Sequence, residues 1–190
     1  MTVDEIFKDL SKHMIKGLMV HEQMANYYDF LGLGGYKRCH EYHYMKETCS
    51  YRSLCRYYIN HFNKLIPDSE IENPKIIPDS WYNYTRQDVD PSTKKNAVKN
   101  GLVTWYEWER DTKILYEKMY KELMNIGEVA AASKVHCFLM DTDDELKKVE
   151  RYMLDKMATN YDINGIIAEQ KNKHTKYKKK MERELKVSIC

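Results

Sequence analysis

Glu47 and Glu109 are carboxylates set among apolar residues at three- and four-residue spacing. Burying a charge on such a stripe is costly, so each must find a partner, a metal ion or a proton. His43 precedes Glu47 by one helical turn, which places imidazole and carboxylate on the same face, able to reach one ion or each other. His21 falls on the apolar stripe of an earlier segment, and Glu145 stands with Asp141 and Asp144 beside a later one. Helix bundles build metal sites from inward carboxylates and imidazoles on different helices, and this mixed donor set suits iron, zinc or manganese. A plainer chemistry stands beside that one. His21 alone serves equally as a hydrogen-bonder between helices, Asp144 as the polar shoulder of an amphipathic helix, and the 16 tyrosines as core with their hydroxyls bonded across helices.

Four long segments must position these groups. The first, Asp4 to Leu31, carries Phe7, Leu10, Met14, Leu18, His21, Ala25 and Tyr28 in helical register and stops at Gly32-Leu33-Gly34-Gly35. The second, Tyr36 to Leu65, has a more polar stripe containing His43, Glu47, Ser50, Leu54, Tyr57 and His61, and ends before Pro67. All four prolines lie in the crossover, and a connection of that length lets the second and third helices run parallel. The third segment is predicted to open at Ser92 or Thr93 and to break near Gly127, with Glu109 in mid-stripe. The fourth runs from about Glu128 to Thr159, and Gly165 starts a short fifth helix. From Lys171 to Arg183 seven Lys/Arg face one acid, Glu182, a pattern usually belonging to a solvated helix or frayed tail.

Composition narrows the class. Thirty-one Lys/Arg against 29 Asp/Glu leave a net charge of +2, too small for a global field that would demand nucleic acid or an anionic membrane. No stretch reaches the roughly 20 apolar residues of a membrane span, and no membrane partner is expected. The first residues mix Asp4, Glu5 and Asp9 with apolar ones, unlike a targeting peptide. Five cysteines without paired spacings imply neither a disulfide framework nor a cysteine zinc site, and a reduced cytoplasmic setting is expected.

Two helices joined by Leu31-Gly32-Leu33-Gly34-Gly35-Tyr36, a proline-rich crossover and two further helices resemble the ferritin family over most of the chain. In ferritins the first turn ends in a similar glycine-aromatic step, and the helix-two glutamate follows at the interval that here falls on Glu47. Tyr106-Glu107-Trp108-Glu109-Arg110 resembles the helix-three segment of bacterial ferritins, and the interval onward to Asp141 and Glu145 is similar too. The resemblance therefore puts Glu47, Glu109 and Glu145 on positions of ferroxidase-centre carboxylates. It departs elsewhere. Met14 stands at the helix-one glutamate, Ser50 at the histidine of the Glu-x-x-His motif, and Thr142 where the family has Gln or Glu. His21 occupies a position where ferritins tend to carry a tyrosine that contacts the helix-three glutamate.

The resemblance implies an all-α, antiparallel ferritin-like four-helix bundle over 1–160, with a crossover at 66–92, followed by a short helix and basic tail at 161–190. It implies iron binding, oxidation or storage at a rearranged di-metal site built from His21, His43, Glu47 and Glu109, with Glu145 as a further ligand and ferroxidase activity weakened by the lost ligands. It also implies a homo-oligomer, towards which Trp81, Tyr82 and Tyr84 in the crossover point as well. Two alternatives stay open. One is a metal-free bundle serving as a structural or interaction module. The other makes the basic tail a nucleic-acid contact, as in the DNA-protecting relatives of ferritins.

Overall fold

A computed structural model describes residues 1–67, 71–72, 74–75, 77, 79–83 and 85–187. The described residues form five α-helices and two short 3₁₀ turns, without a strand. Helix α1 spans Val3–Phe30, α2 Gly34–Phe62, α3 Pro91–Asn125, α4 Val129–Ala158 and α5 Ile163–Val187. The four main helices therefore fall where the periodic segments predict them, and the architecture is the expected all-α bundle.

Local chemistry fixes the ends. Thr2 and Glu5 cap α1 reciprocally: the Glu5 amide donates to Thr2 Oγ1 at 3.3 Å and the Thr2 amide to Glu5 Oε2 at 2.7 Å. Helix α3 begins one or two residues earlier than expected, because Asp90 accepts from the Thr93 amide at 2.6 Å and Pro91 supplies a preset first turn. Gly32, at φ +69°, takes the left-handed conformation between α1 and α2 that other residues adopt only with strain.

Side-chain contacts give the directions. Tyr58 donates to Asp4, while Tyr28 packs on Tyr36 with ring centroids 5.0 Å apart, so α1 and α2 are antiparallel. His13 bonds Thr112 at 2.8 Å, while a side chain at Gly101 would collide with Tyr28, so α1 and α3 are antiparallel as well. Helices α2 and α3 consequently run parallel, as the long crossover requires.

The apolar interior is in two parts. One cluster gathers Ile6, Phe7, Leu10, Met14, Leu54, Tyr58, Tyr116 and Leu123 at one end of the bundle, with Val135 and Phe138 of α4. The other gathers Met24, Tyr28, Leu31, Val98, Leu102 and Trp105 at the opposite end, closed by Ile166 and Tyr177 of α5. Between them lies a layer of acids and imidazoles.

Helix α5 differs from the expected short helix and free basic tail. It is 25 residues long and packs along α2, with Ile166, Lys173 and Tyr177 buried. The lysines mask an apolar and aromatic stripe that docks it. At its entry the Gly35 amide donates to Gln170 Oε1 at 2.8 Å, and a Cβ on Gly35 would fall 2.6 Å from the Gln170 carbonyl oxygen. Of the crossover aromatics, Tyr84 and the side chains of Trp81 and Tyr82 lie outside the described residues.

Candidate metal centre

Glu47 on α2, Glu109 on α3 and Glu145 on α4 line one narrow cleft of about 20 Å³ between the two apolar clusters. That volume holds about one water-sized body. Lys46, Ser50, Asp141 and Thr142 complete its polar wall.

The three carboxylates meet different fates. Glu109 is 3% exposed, and its Oε1 accepts a hydrogen bond from Trp105 Nε1, one turn earlier, at 2.9 Å. Burial and then the neighbouring Glu47 charge push its pKa up to about 8, the Trp105 bond opposing them only in part. Glu47 is half-buried, and its Oε2 lies 3.7 Å from where a Cβ on Gly17 would sit. Burial, with Glu145 and Asp141 adding to it and Lys46 opposing, raises it to about 7. Among the described residues its carboxylate makes no hydrogen bond or ion pair.

Glu145 is the opposite case. Burial again disfavours its charge, yet it is held down at about 2 by His43, Lys46 and Lys148 together. Lys46 Nζ lies 3.0 Å and Lys148 Nζ 2.8 Å from Glu145 Oε1, whereas His43 Nε2 lies 3.7 Å from Oε2. Burial lowers His43 itself to about 4, so the imidazole is neutral at pH 7 and the two ammoniums carry the counter-charge.

Next to the acids is a layer of imidazoles packed on Trp105. The His21 ring centroid lies 5.3 Å from that of His43 and 5.4 Å from that of His40, so the α1 and α2 histidines stand at one depth. His21 Nδ1 and His40 Nδ1 share a hydrogen bond of 3.1 Å. His21 Nε2 is buried without a hydrogen bond and faces Glu109 Oε1 at 4.0 Å. Burial lowers both His21 and His40 well below the ordinary histidine range, so this layer is uncharged at neutral pH.

The residues singled out in the sequence thus gather in one region, in two groups. Glu47, Glu109 and Glu145 share the cleft, while His21 and His43 flank it with His40. Among the described residues no three His, Cys, Asp or Glu side chains converge as a metal-holding set. Met14, at the helix-one ligand position of ferritins, is buried in the apolar cluster, and Ser50 stands on the cleft wall. A bridged metal pair lacks the donors it would need.

Sequence reasoning missed His40, Lys46 and Lys148. His40 is readable as the start of His40-x-x-His43-x-x-x-Glu47, a continuous helical face. The two lysines resemble ordinary solvated charges: Lys148 reaches Glu145 within α4 at i,i+3, whereas Lys46 reaches it from α2.

No family model matches the chain, and no curated protein matches it. Among solved structures it is similar to a humanized archaeal ferritin, with a TM-score of 0.74 and 13% identity, over 90% of this chain and 94% of that one. At this identity the likeness establishes a ferritin-like fold.

Proposed function

We propose, with the ferritin-like fold as premise, that this chain binds one divalent cation, iron foremost and otherwise zinc or manganese, in the cleft between Glu47 and Glu109, with Glu145 as a further ligand. The observation that supports this is the Glu47 carboxylate. It stands beside the buried Glu109 carboxylate, without a hydrogen bond or ion pair among the described residues, on a narrow cleft of about 20 Å³. Two raised carboxylates disfavour each other's charge, and a cation relieves both the repulsion and the desolvation at once. His21 and His43 are neutral bases beside the acids, suited to join the coordination or to take up the protons the carboxylates release. Because Met14 and Ser50 replace two ligands, iron oxidation is slow compared with an intact ferroxidase centre.

Lys46 and Lys148 favour a second reading. They satisfy Glu145 without any metal, as a metal-free structural or interaction bundle would require. Metal analysis and calorimetry with Fe²⁺ and Zn²⁺ separate the two readings. Stoichiometric binding by the native chain that is lost in E47Q/E109Q, with helix content retained, supports the cation site. Absence of binding in the native chain supports the structural bundle. Rapid stoichiometric oxidation of ferrous iron would overturn the single-cation reading.

The fold also supports homo-oligomeric assembly, and α4 carries three scattered exposed apolar side chains, Met140, Leu154 and Met157, at 54%, 60% and 57% exposure.

A further inference from the structure

Two helices carry the same short pattern. Lys148-x-x-Arg151-Tyr152 on α4 is repeated as Lys173-x-x-Lys176-Tyr177 on α5, followed one turn later by Lys180. The two stripes meet across a cleft of about 340 Å³ whose third wall is Tyr42 and His43 of α2. Its volume falls in the range of small-molecule sites, about 300–1,000 Å³.

The floor is preorganised. The Tyr152 and Tyr177 hydroxyls share a hydrogen bond of 3.1 Å, and Lys176 Nζ donates to Tyr152 Oη at 3.2 Å. Lys173, 9% exposed, places its ammonium 4.0 Å from the Tyr152 ring centroid and 4.7 Å from that of Tyr36. Lys180 Nζ lies 4.8 Å from the Tyr42 centroid.

The charges are out of balance. Lys148, Arg151, Lys176 and Lys180 line the cleft against two acids, Glu145 and Asp155, while burial keeps His43 neutral. Lys148 is engaged by Glu145 at 2.8 Å. Arg151 donates only Nε, to the Lys147 carbonyl at 3.2 Å, leaving its terminal nitrogens for another acceptor. Among the described residues neither Arg151, Lys176 nor Lys180 has a carboxylate within ion-pair distance. Three cations convergent on a tyrosine floor, one of them a guanidinium, match a dianion with several acceptor oxygens on an aromatic body better than a single carboxylate.

We propose that the cleft between α2, α4 and α5 binds a small phosphate ester, its phosphate held by Arg151, Lys176 and Lys180 and its body against Tyr42, Tyr152 and Tyr177. This cleft shares Glu145 with the cation cleft, but none of the three cations that would hold the phosphate lines the Glu47–Glu109 space.

Calorimetry on the full chain tests it, with adenosine monophosphate as probe. Saturable one-to-one binding is expected, weaker by roughly tenfold or more for adenosine and for inorganic phosphate alone. K176Q/K180Q is expected to lose roughly tenfold or more in affinity, with R151Q as a single-site check and helix content followed by circular dichroism. Absence of saturable binding, or adenosine or phosphate binding as tightly as the nucleotide, overturns the proposal on the native chain alone. An affinity for oligodeoxyadenylate that keeps rising with strand length overturns it in favour of nucleic-acid binding.

Discussion

Lys46 Nζ lies 3.0 Å from Glu145 Oε1, bridging α2 and α4 between a glutamate side chain that is 8% exposed and a lysine side chain that is 28% exposed. Burial opposes the Lys46 charge, and Glu145 outweighs that opposition and raises the lysine pKa. The pair therefore has two opposed effects. It neutralises an enclosed acid, and it places positive charge beside the space proposed for a cation.

Lys46→Gln should separate those effects. Loss of one ammonium while Lys148 remains should cost about 1–2 kcal/mol of stability, less than breaking a fully buried pair. Divalent-cation affinity should increase at the same time. Urea denaturation and zinc titration of the same variant check both signs, and a parallel loss of stability and affinity would refute the opposed roles.

The stability of the metal-free protein should peak near pH 6.5. Burial depresses His13 and His43 to about 4 from an ordinary 6.5, and depresses His21 and His40 well below it. As pH falls through 6.5 the unfolded chain takes up protons that the folded one refuses, and stability falls. Glu47 and Glu109 act in the other direction. Raised to about 7 and about 8 from 4.5, they keep protons that the unfolded chain has released, so stability declines from pH 4.5 until about pH 8. Below pH 6.5 the four histidines outnumber the two acids, and above it the acids act alone. Glu145, depressed to about 2, adds a further loss only below pH 4.5. Thermal midpoints from pH 4 to 9 should trace this profile, and E47Q/E109Q should flatten its alkaline limb. An alkaline limb unchanged in that variant would remove these two acids as its source.

Gly35→Ala should loosen α5. With a methyl 2.6 Å from the Gln170 carbonyl, backbone must shift, at about 1–3 kcal/mol. Hydrogen exchange should rise selectively along α5 and the facing turn of α2. Exchange unchanged in α5 would show that the helix is not anchored there.

Light scattering should give a mass above the 22.8 kDa of one chain. M140E/L154E should reduce it if α4 forms the seam. A native monomer at micromolar concentration would refute the assembly proposal.

Helices α1 to α4 were legible within a few residues because glycines and prolines are scarce and sit between strongly periodic runs. Glu47, Glu109 and Glu145 were legible as carboxylates on or beside apolar stripes. The start of α5 near Gly165 was legible, but its length and its docking were not, because Lys171, Lys178 and Lys179 dominate the composition while Ile166 and Tyr177 carry the packing. The ion pair of Lys46 was hidden for a related reason. A lysine that reaches a buried acid on another helix has the same local pattern as one in solvent, and only the approach of that helix decides between them.

The band of acids and imidazoles divides the interior into two greasy halves, and only one of them is buttressed by α5. Such a molecule has a built-in line of weakness. The half holding Phe7, Leu54 and Leu123 can loosen while the half holding Met24, Leu102 and Trp105 stays shut. Whatever occupies the Glu47–Glu109 space would act as a rivet through that line and make the two halves melt as one body.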